Sequence, residues 1–218
     1  MNRTATLGWV KHGYTHGTRR LATRSMTGLA RTRVSPNALT AAGVSLCLAA
    51  AALIPFEHRN PWLYLWLAAA LFGAGSILDI LDGALARRSG KDSPFGAFLD
   101  SMSDRVGEAA VLAALAIVFA QDGNRIAIAF CFAALTGSFL VTYARAKAEL
   151  LGFRGDVGLG SRAERVAVIS AALTAGPWVP LQWFVYFLTA AAWLTVLQRI
   201  LHIRRQLLSG GTDGFDRR

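Results

Sequence analysis

Cysteine and acidic residues are both scarce in this sequence. Only 2 of the 218 residues are cysteine, and Cys47 and Cys131 lie in apolar stretches without the spacing of a zinc site or a disulfide framework. Asp and Glu total 13 against 23 Lys and Arg, a formal net charge of +10. A nucleic-acid-binding protein can have such a charge, but it lacks repeated long apolar runs. Because 54% of this chain is hydrophobic, the basic residues fit the rims of a membrane protein, and no nucleic-acid partner is expected.

The two ends of the chain lack long apolar segments. The first apolar stretch begins only near Ala38, after a basic lead, so the start does not resemble a cleavable signal peptide. We expect residues 1–37 to form a cytoplasmic juxtamembrane segment whose amphipathic part lies on the anionic membrane surface. A disordered basic tail is the alternative for this segment. Residues 209–218, rich in Gly and charge, are expected to be a disordered tail.

Six apolar stretches approach the roughly 20 residues that a helix needs to cross a bilayer. They run from Ala38 to Pro55, Trp62 to Leu81, Phe98 to Ala120, Ile126 to Ala146, Val166 to Trp178 and Leu181 to His202. The sequence therefore predicts an all-α integral membrane protein, with six transmembrane helices in one domain over residues 38–208. The termini and the loops on their side hold 21 of the 23 Lys and Arg, so we expect that side to be cytoplasmic.

Four aspartates are predicted to converge where the second and third spans meet the cytoplasmic side. Asp79 and Asp82 are three residues apart, and Asp100 and Asp104 are four apart, so each pair shares one helix face. Such acids lose hydration and repel one another near a membrane interior, and cations must offset them. Hard carboxylate oxygens suit Mg²⁺ or Mn²⁺. The pattern predicts two divalent cations in a phosphoryl-transfer site.

Small and basic residues surround these acids. Gly83, Ala86 and Gly96 would let a nucleotide approach the helix backbone closely, and Arg87 can neutralise a diphosphate. Small residues in membrane helices also serve helix packing. One or two of the aspartates could likewise cap helices or pair with nearby arginines, namely Arg87, Arg88 and Arg105.

Taken together, these residues resemble the signature of the CDP-alcohol phosphotransferase family, D-x2-D-G-x2-A-R-x8-G-x3-D-x3-D. Every fixed position matches: Asp79, Asp82, Gly83, Ala86, Arg87, Gly96, Asp100 and Asp104. The resemblance extends to the six spans, the juxtamembrane segment and the entry to the first span, where Thr40 would join Gly83, Ala86, Arg87 and Gly96 in binding the CDP-lipid.

The resemblance implies a fold, an assembly and a reaction. The protein would be a homodimer in the cell membrane, with its active site and both termini on the cytoplasmic side. Asp79, Asp82 and Asp100 would bind the metals, and Asp104 would act as general base while also touching a metal. The acceptor oxygen would attack the β-phosphorus of CDP-diacylglycerol, and CMP would leave.

Basic residues after the fourth span indicate the acceptor. Thr142, Arg145, Arg165 and Arg199 are similar to residues that bind the acceptor's phosphate in the branch of the family that makes phosphatidylinositol phosphate. Guanidinium groups form bidentate hydrogen bonds with phosphate. The expected acceptor is therefore a phosphorylated polyol, inositol phosphate. Glycerol phosphate is the alternative, because the same residues would hold it and make the protein a phosphatidylglycerol phosphate synthase.

Other basic residues have a simpler interpretation, and a transporter is the alternative from another class of protein. Lys147, Arg154 and Arg162 are interpreted as anchors of the cytoplasmic rim. A small transporter would use intramembrane acids to bind coupling ions, but it would place them near the middle of the bilayer. The four aspartates instead lie at helix ends, which favours an enzyme.

Overall fold

The computed structural model describes residues 35–89, 93–153, 157–158 and 162–208, and every regular element in these ranges is helical. The helices are α1 (Pro36–Leu53), followed by a 3₁₀ turn (Ile54–Phe56), α2 (Pro61–Ser89), α3 (Pro94–Gln121), α4 (Arg125–Leu150), α5 (Arg162–Ala175) and α6 (Leu181–Leu208). The predicted all-α fold is confirmed for this part of the chain. The predicted juxtamembrane segment, up to residue 34, and the tail 209–218 lie outside the described residues.

Four of the helices are long and apolar enough to cross a membrane. These stretches are Pro36–Phe56, Pro61–Ala86, Arg125–Leu150 and Leu181–Leu208. Helix α3 is long, but its first half carries Asp100, Asp104, Arg105 and Glu108. Helix α5 has only 14 residues, which is about 21 Å of helix. Length and composition therefore support four of the six predicted spans, and the other two remain predictions.

The helices that carry the aspartates extend beyond the predicted apolar stretches. Helix α2 continues past Leu81 to Ser89, and α3 begins at Pro94 rather than at Phe98. Ser93 caps α3, because its hydroxyl accepts a hydrogen bond from the Gly96 N–H at 3.0 Å, and Pro94 then fits the first helical position. Hydropathy underestimates α2 because the turns that it misses, residues 82–89, include Asp82 and two arginines.

Glycines allow close packing between α1 and α2. A Cβ placed on Gly75 would lie 2.7 Å from the carbonyl oxygen of Gly43 and 2.9 Å from the sulfur of Cys47. A side chain at position 75 would therefore push the two helices apart. Cys47 packs in turn against Gly107 of α3. This contact is consistent with the prediction that Cys47 serves packing.

The remaining helices complete an apolar core. Helix α4 packs against α6, where a Cβ on Gly137 would lie 2.9 Å from the Cβ of Ala192. Buried side chains from several helices fill the centre, among them Leu65, Val111, Leu112, Leu173 and Val185. Helix α5 contacts both α2 and α6. The bundle therefore fixes the ends of α1, α2, α3 and α5 relative to one another.

A tryptophan cluster joins the start of α2 to the end of α5. The rings of Trp62 and Trp178 meet edge to face with centroids 4.6 Å apart. The indole N–H of Trp66 donates to the carbonyl of Thr174 at 3.1 Å. Asp79 follows Trp62 by about 26 Å along the helix axis. Tryptophan is typical of membrane–water interfaces, so the cluster marks the end of the bundle opposite the aspartates.

Candidate active site

Three aspartates meet where the last turns of α2 face the first turns of α3. Asp79, Asp82 and Asp100 each offer a carboxylate oxygen, and these oxygens all lie within 4.8 Å of one another. Asp82 is buried, whereas Asp79 and Asp100 are partly buried. Three carboxylates at this separation repel one another unless a cation lies between them. All of these ligand atoms are carboxylate oxygens, and the cluster carries several negative charges, which fits Mg²⁺ or Mn²⁺.

Helix α1 holds one of these carboxylates in place. The hydroxyl of Thr40 donates to Asp82 Oδ2 at 2.5 Å, and both residues are buried. Thr40 also lies 3.2 Å from the carbonyl of Pro36, one turn earlier. The glycine contact between α1 and α2 makes this pairing possible, because it brings the two helices close together. Thr40 therefore orients a predicted metal ligand from a neighbouring helix.

A cavity of about 160 Å³ opens beside these residues. Its walls include Thr40, Gly83, Ala86 and Gly96, which are four of the five residues predicted to bind the CDP-lipid, together with Asp82 and Asp100. A Cβ on Gly96 would lie 3.1 Å from the hydroxyl of Ser93, so a larger residue would crowd this wall. The side chain of Arg87, the fifth predicted residue, lies outside the described part of the structure.

Asp104 faces a different partner. Its carboxylate pairs with the guanidinium of Arg162, the first residue of α5, and the same guanidinium pairs with Asp79. Arg162 thus ties α5 to both aspartate-bearing helices.

The sequence interpretation of Arg162 as a rim anchor missed this contact. The available signal was its position three residues before Arg165, which places both arginines on one face at the start of a helix. That spacing indicates a shared surface. It does not indicate that the surface faces Asp79 and Asp104, because this depends on how α5 packs.

A second, smaller cavity of about 40 Å³ adjoins Asp104. It is lined by charged residues from three helices: Asp79, Asp104, Glu108, Arg162 and Arg165. Arg165 Nε lies 2.9 Å from Glu108 Oε1, and Ser138 of α4 donates to the same carboxylate oxygen at 2.5 Å. The predicted base and one predicted phosphate-binding arginine therefore share one cavity. Glu108 and Ser138 were not predicted as site residues.

The other residues predicted to bind the acceptor lie elsewhere. Arg145 is exposed and pairs at 2.8 Å with Glu149, one turn later on α4. Arg199 is buried, and its guanidinium donates to the carbonyl oxygens of Val141 and Val157, the latter at 2.9 Å. Thr142 donates to the Ser138 carbonyl at 3.3 Å. Of the four residues predicted to bind the acceptor's phosphate, Arg165 alone is among the described residues that line the smaller cavity.

Comparison with known proteins covers most of the chain. The family profile for CDP-alcohol phosphatidyltransferase matches residues 33–203. The archaetidylinositol phosphate synthase of Pyrococcus horikoshii is 33% identical over 183 residues, which cover 84% of this chain and 90% of that protein. The phosphatidylinositol phosphate synthase of Mycolicibacterium smegmatis is 35% identical over 182 residues, covering 80% of this chain and 79% of that protein.

Solved structures of a relative agree with these matches. The phosphatidylinositol phosphate synthase of Mycobacterium tuberculosis, in crystals with CDP-DAG bound, aligns with a TM-score of 0.74 at 29% identity, covering 84% of this chain and 94% of that one. Its crystal structure in complex with manganese and citrate gives the same TM-score and identity over 88% of that chain. The signature aspartates, the cavity beside them and the matches over most of the sequence agree: this chain belongs to the CDP-alcohol phosphatidyltransferase family.

Proposed function

We propose that this protein transfers the phosphatidyl group of CDP-diacylglycerol to a hydroxyl of inositol phosphate, forming phosphatidylinositol phosphate and releasing CMP. The observation that carries the proposal is the pair of adjoining cavities at the aspartates. One has small residues in its walls, which leave room for a nucleotide diphosphate, and the other combines three carboxylates with two arginines. Two phosphatidylinositol phosphate synthases among the relatives, one of them crystallised with CDP-DAG, support the same donor and acceptor.

The larger cavity is proposed to hold the CDP end of the lipid. Gly83, Ala86 and Gly96 leave room for the diphosphate against the helix backbone, and Thr40 and Arg87 complete the proposed set. Asp79, Asp82 and Asp100, whose carboxylate oxygens lie within 4.8 Å of one another, would hold the two divalent cations, Mg²⁺ or Mn²⁺, and Asp104 would also touch a metal. When bound, such cations offset the negative charge of the diphosphate and of the departing CMP.

The smaller cavity is proposed to hold the acceptor. Asp104 takes the proton of the acceptor hydroxyl, and the resulting oxygen attacks the β-phosphorus while the bond to CMP breaks. Arg165 binds the acceptor's phosphate by charge-assisted hydrogen bonds. Asp104 and Arg165 line the same cavity, which supports an acceptor site that includes both residues. Thr142, Arg145 and Arg199 are proposed to contribute to the same phosphate site.

We also propose the membrane arrangement and assembly that the family resemblance implies. In this arrangement α3 and α5 join the four apolar helices as spans, and the protein is a homodimer in the cell membrane. The buried second half of α3, including Val111 and Val118, supports its place within the bundle. The aspartate end, with both termini, faces the cytoplasm because 21 of the 23 Lys and Arg belong to that side.

An assay of donor and acceptor tests the reaction. Purified protein in lipid nanodiscs is incubated with Mg²⁺ and CDP-diacylglycerol, together with inositol phosphate, glycerol phosphate or neither, and CMP is measured. The proposal expects CMP release with inositol phosphate at least about tenfold faster than with glycerol phosphate. Faster release with glycerol phosphate would identify a phosphatidylglycerol phosphate synthase. An absence of CMP release with both acceptors would contradict the proposed transfer.

A further inference from the structure

Three side chains from three helices form a buried polar network beside Asp104. Glu108 of α3 accepts a hydrogen bond from Arg165 Nε through Oε2 at 3.1 Å, and its Oε1 lies 2.9 Å from the same nitrogen as an ion-pair contact. The hydroxyl of Ser138 donates to Oε1 at 2.5 Å. The side chains of Arg165 and Glu108 are only 9% and 11% exposed. The network joins α3, α4 and α5 at one point.

Stability alone is a weak reason for this network. Taking a carboxylate and a guanidinium out of water costs free energy that their attraction often fails to recover, and apolar replacements are commonly as stable. The next turn of α3 shows such packing, because Val111 and Leu112 are fully buried there. A charged pair at this depth therefore calls for a second explanation.

The position of Glu108 relates the network to the reaction site. Asp100, Asp104 and Glu108 are spaced by four residues and share one face of α3. Glu108 lies about 6 Å along the axis from Asp104, and both line the cavity that Arg165 also lines. The carboxylate thus fixes the guanidinium one helical turn from the proposed base.

We propose that Glu108, held by Ser138, is a positioning residue for the acceptor. It fixes the Nε edge of Arg165, so that the guanidinium meets the phosphate of a polyol phosphate while the hydroxyl of the same molecule reaches Asp104. This inference rests on the proposed function, because Arg165 needs a fixed orientation only if the acceptor carries a phosphate. Glu108 reduces the net charge around Arg165, so its contribution is orientation and not attraction.

Orientation and attraction make opposite predictions for Glu108→Gln. This substitution keeps the size of the side chain and removes its charge. If Glu108 orients Arg165, the KM for inositol phosphate rises by about tenfold, the loss expected for one charge-assisted hydrogen bond. If Glu108 only weakens the attraction of the cavity for anions, the same KM falls, and the proposal is overturned.

The acceptor KM is measured by varying the concentration of inositol phosphate at saturating CDP-diacylglycerol. The donor KM is measured by varying CDP-diacylglycerol at saturating inositol phosphate. Glu108→Gln is expected to raise the acceptor KM and to leave the CDP-diacylglycerol KM within about twofold. Ser138→Ala should raise the acceptor KM by about threefold, since it removes one ordinary hydrogen bond. Glu57→Gln, at the opposite end of the bundle, is the matched control and should change neither KM.

A double-variant cycle separates positioning from a general loss of stability. Because Glu108 acts through Arg165, Glu108→Gln should add no further rise in acceptor KM to an Arg165→Gln protein. If the two effects multiply, Glu108 does not act through Arg165 and the proposal fails. Thermal unfolding is followed on the same samples, and a lowered Tm with an unchanged acceptor KM also overturns it.

The remaining outcomes distinguish this inference from the proposed function. If Arg165→Gln raises the acceptor KM and Glu108→Gln does not, Arg165 binds the phosphate without help and the positioning role is overturned. If Arg165→Gln itself has no effect, the proposed phosphate contact fails, and the positioning role fails with it. If Glu108→Gln does not fold, Ser138→Ala decides, with an unchanged acceptor KM counting against the proposal.

Discussion

Helices α2 and α5 contact each other at both ends, and the two contacts use different chemistry. At the aspartate end, the guanidinium of Arg162 pairs with carboxylates that include Asp79. At the tryptophan end, Trp62 packs on Trp178, and Trp66 donates one hydrogen bond to a backbone carbonyl. The loss of one ring leaves no charge without a partner. The loss of one charged partner leaves another charge unpaired, which costs more.

This comparison separates activity from stability. Substitutions at the aspartate end should change catalysis strongly, because the four aspartates, Arg162 and Arg165 line cavities there. Substitutions at the tryptophan end should change thermal stability and leave the kinetics close to those of the wild type. The following predictions test this separation from the largest expected effect to the smallest.

Asp100→Asn should give the largest loss. It removes a charge from the three-carboxylate cluster, and a bound metal contributes several kcal/mol to catalysis, so CMP release should fall by about 10³-fold or more. The rise in Tm that Mn²⁺ gives the wild type should also be lost. Asp122→Asn, at the other end of α3, is the control and should keep both properties. Substantial turnover of the wild type in excess chelator would contradict the metal site.

Asp104→Asn should block chemistry more than nucleotide binding. Removal of a general base typically lowers turnover by 10²- to 10⁴-fold. Binding of CMP in the presence of Mn²⁺, measured by calorimetry, should stay within about threefold of the wild type. Turnover close to normal in this variant would show that another group takes the proton.

Substitutions of the three arginines predicted to bind the acceptor should differ in their effects on the acceptor KM and on the Tm. Arg165→Ala should raise the acceptor KM by about tenfold or more, because Arg165 lines the cavity beside Asp104. Arg199→Ala should lower the Tm as well, since two backbone carbonyls lose a donor. Arg145→Ala should have a smaller effect, because its guanidinium is exposed and paired with Glu149.

The control for this series is Arg125→Ala, which removes a positive charge from the start of α4. It should leave the acceptor KM unchanged. If all three other variants also keep a normal acceptor KM, the phosphate site lies elsewhere, and these arginines are anchors of the basic rim.

Trp66→Phe should have the smallest effect on activity. An aromatic ring remains at this position, but the indole N–H and its hydrogen bond to the Thr174 carbonyl are lost. The loss of this hydrogen bond costs about 0.5 to 1.5 kcal/mol of stability. A change in kcat/KM of more than about twofold would show that the two ends of the bundle are coupled. Thermal unfolding and CMP release on the same preparation provide both measurements.

Local spacing predicted the aspartates because it needs only the geometry of one helix. Asp79 and Asp82 share a face of α2 whatever the helix packs against, and the same holds for Asp100 and Asp104 of α3. The six apolar runs likewise correspond to the six α-helices in the part of the chain that the structure describes. Their ends were less well predicted, because the sequence marks polar helix ends by caps such as Ser93 and not by hydropathy.

Contacts between distant segments could not be predicted in the same way. Arg162 follows Asp104 by 58 positions, and Glu108 and Arg165 are 57 apart. Their pairing depends on the packing of α5 against α2 and α3. The sequence shows that each residue is charged, but it does not show which opposite charge each one meets. Thr40 is an intermediate case, because the family resemblance suggested it and the structure shows its bond to Asp82.

The close contact between Gly43 and Gly75 gives the reaction site a narrow geometric tolerance. A methyl group at position 75 would meet the Gly43 carbonyl at 2.7 Å, so an alanine there would force α1 and α2 apart. A shift of a few tenths of an ångström is enough to lengthen the 2.5 Å bond between Thr40 and Asp82. The placement of the Asp82 carboxylate is therefore determined two helical turns away, at a residue that has no side chain.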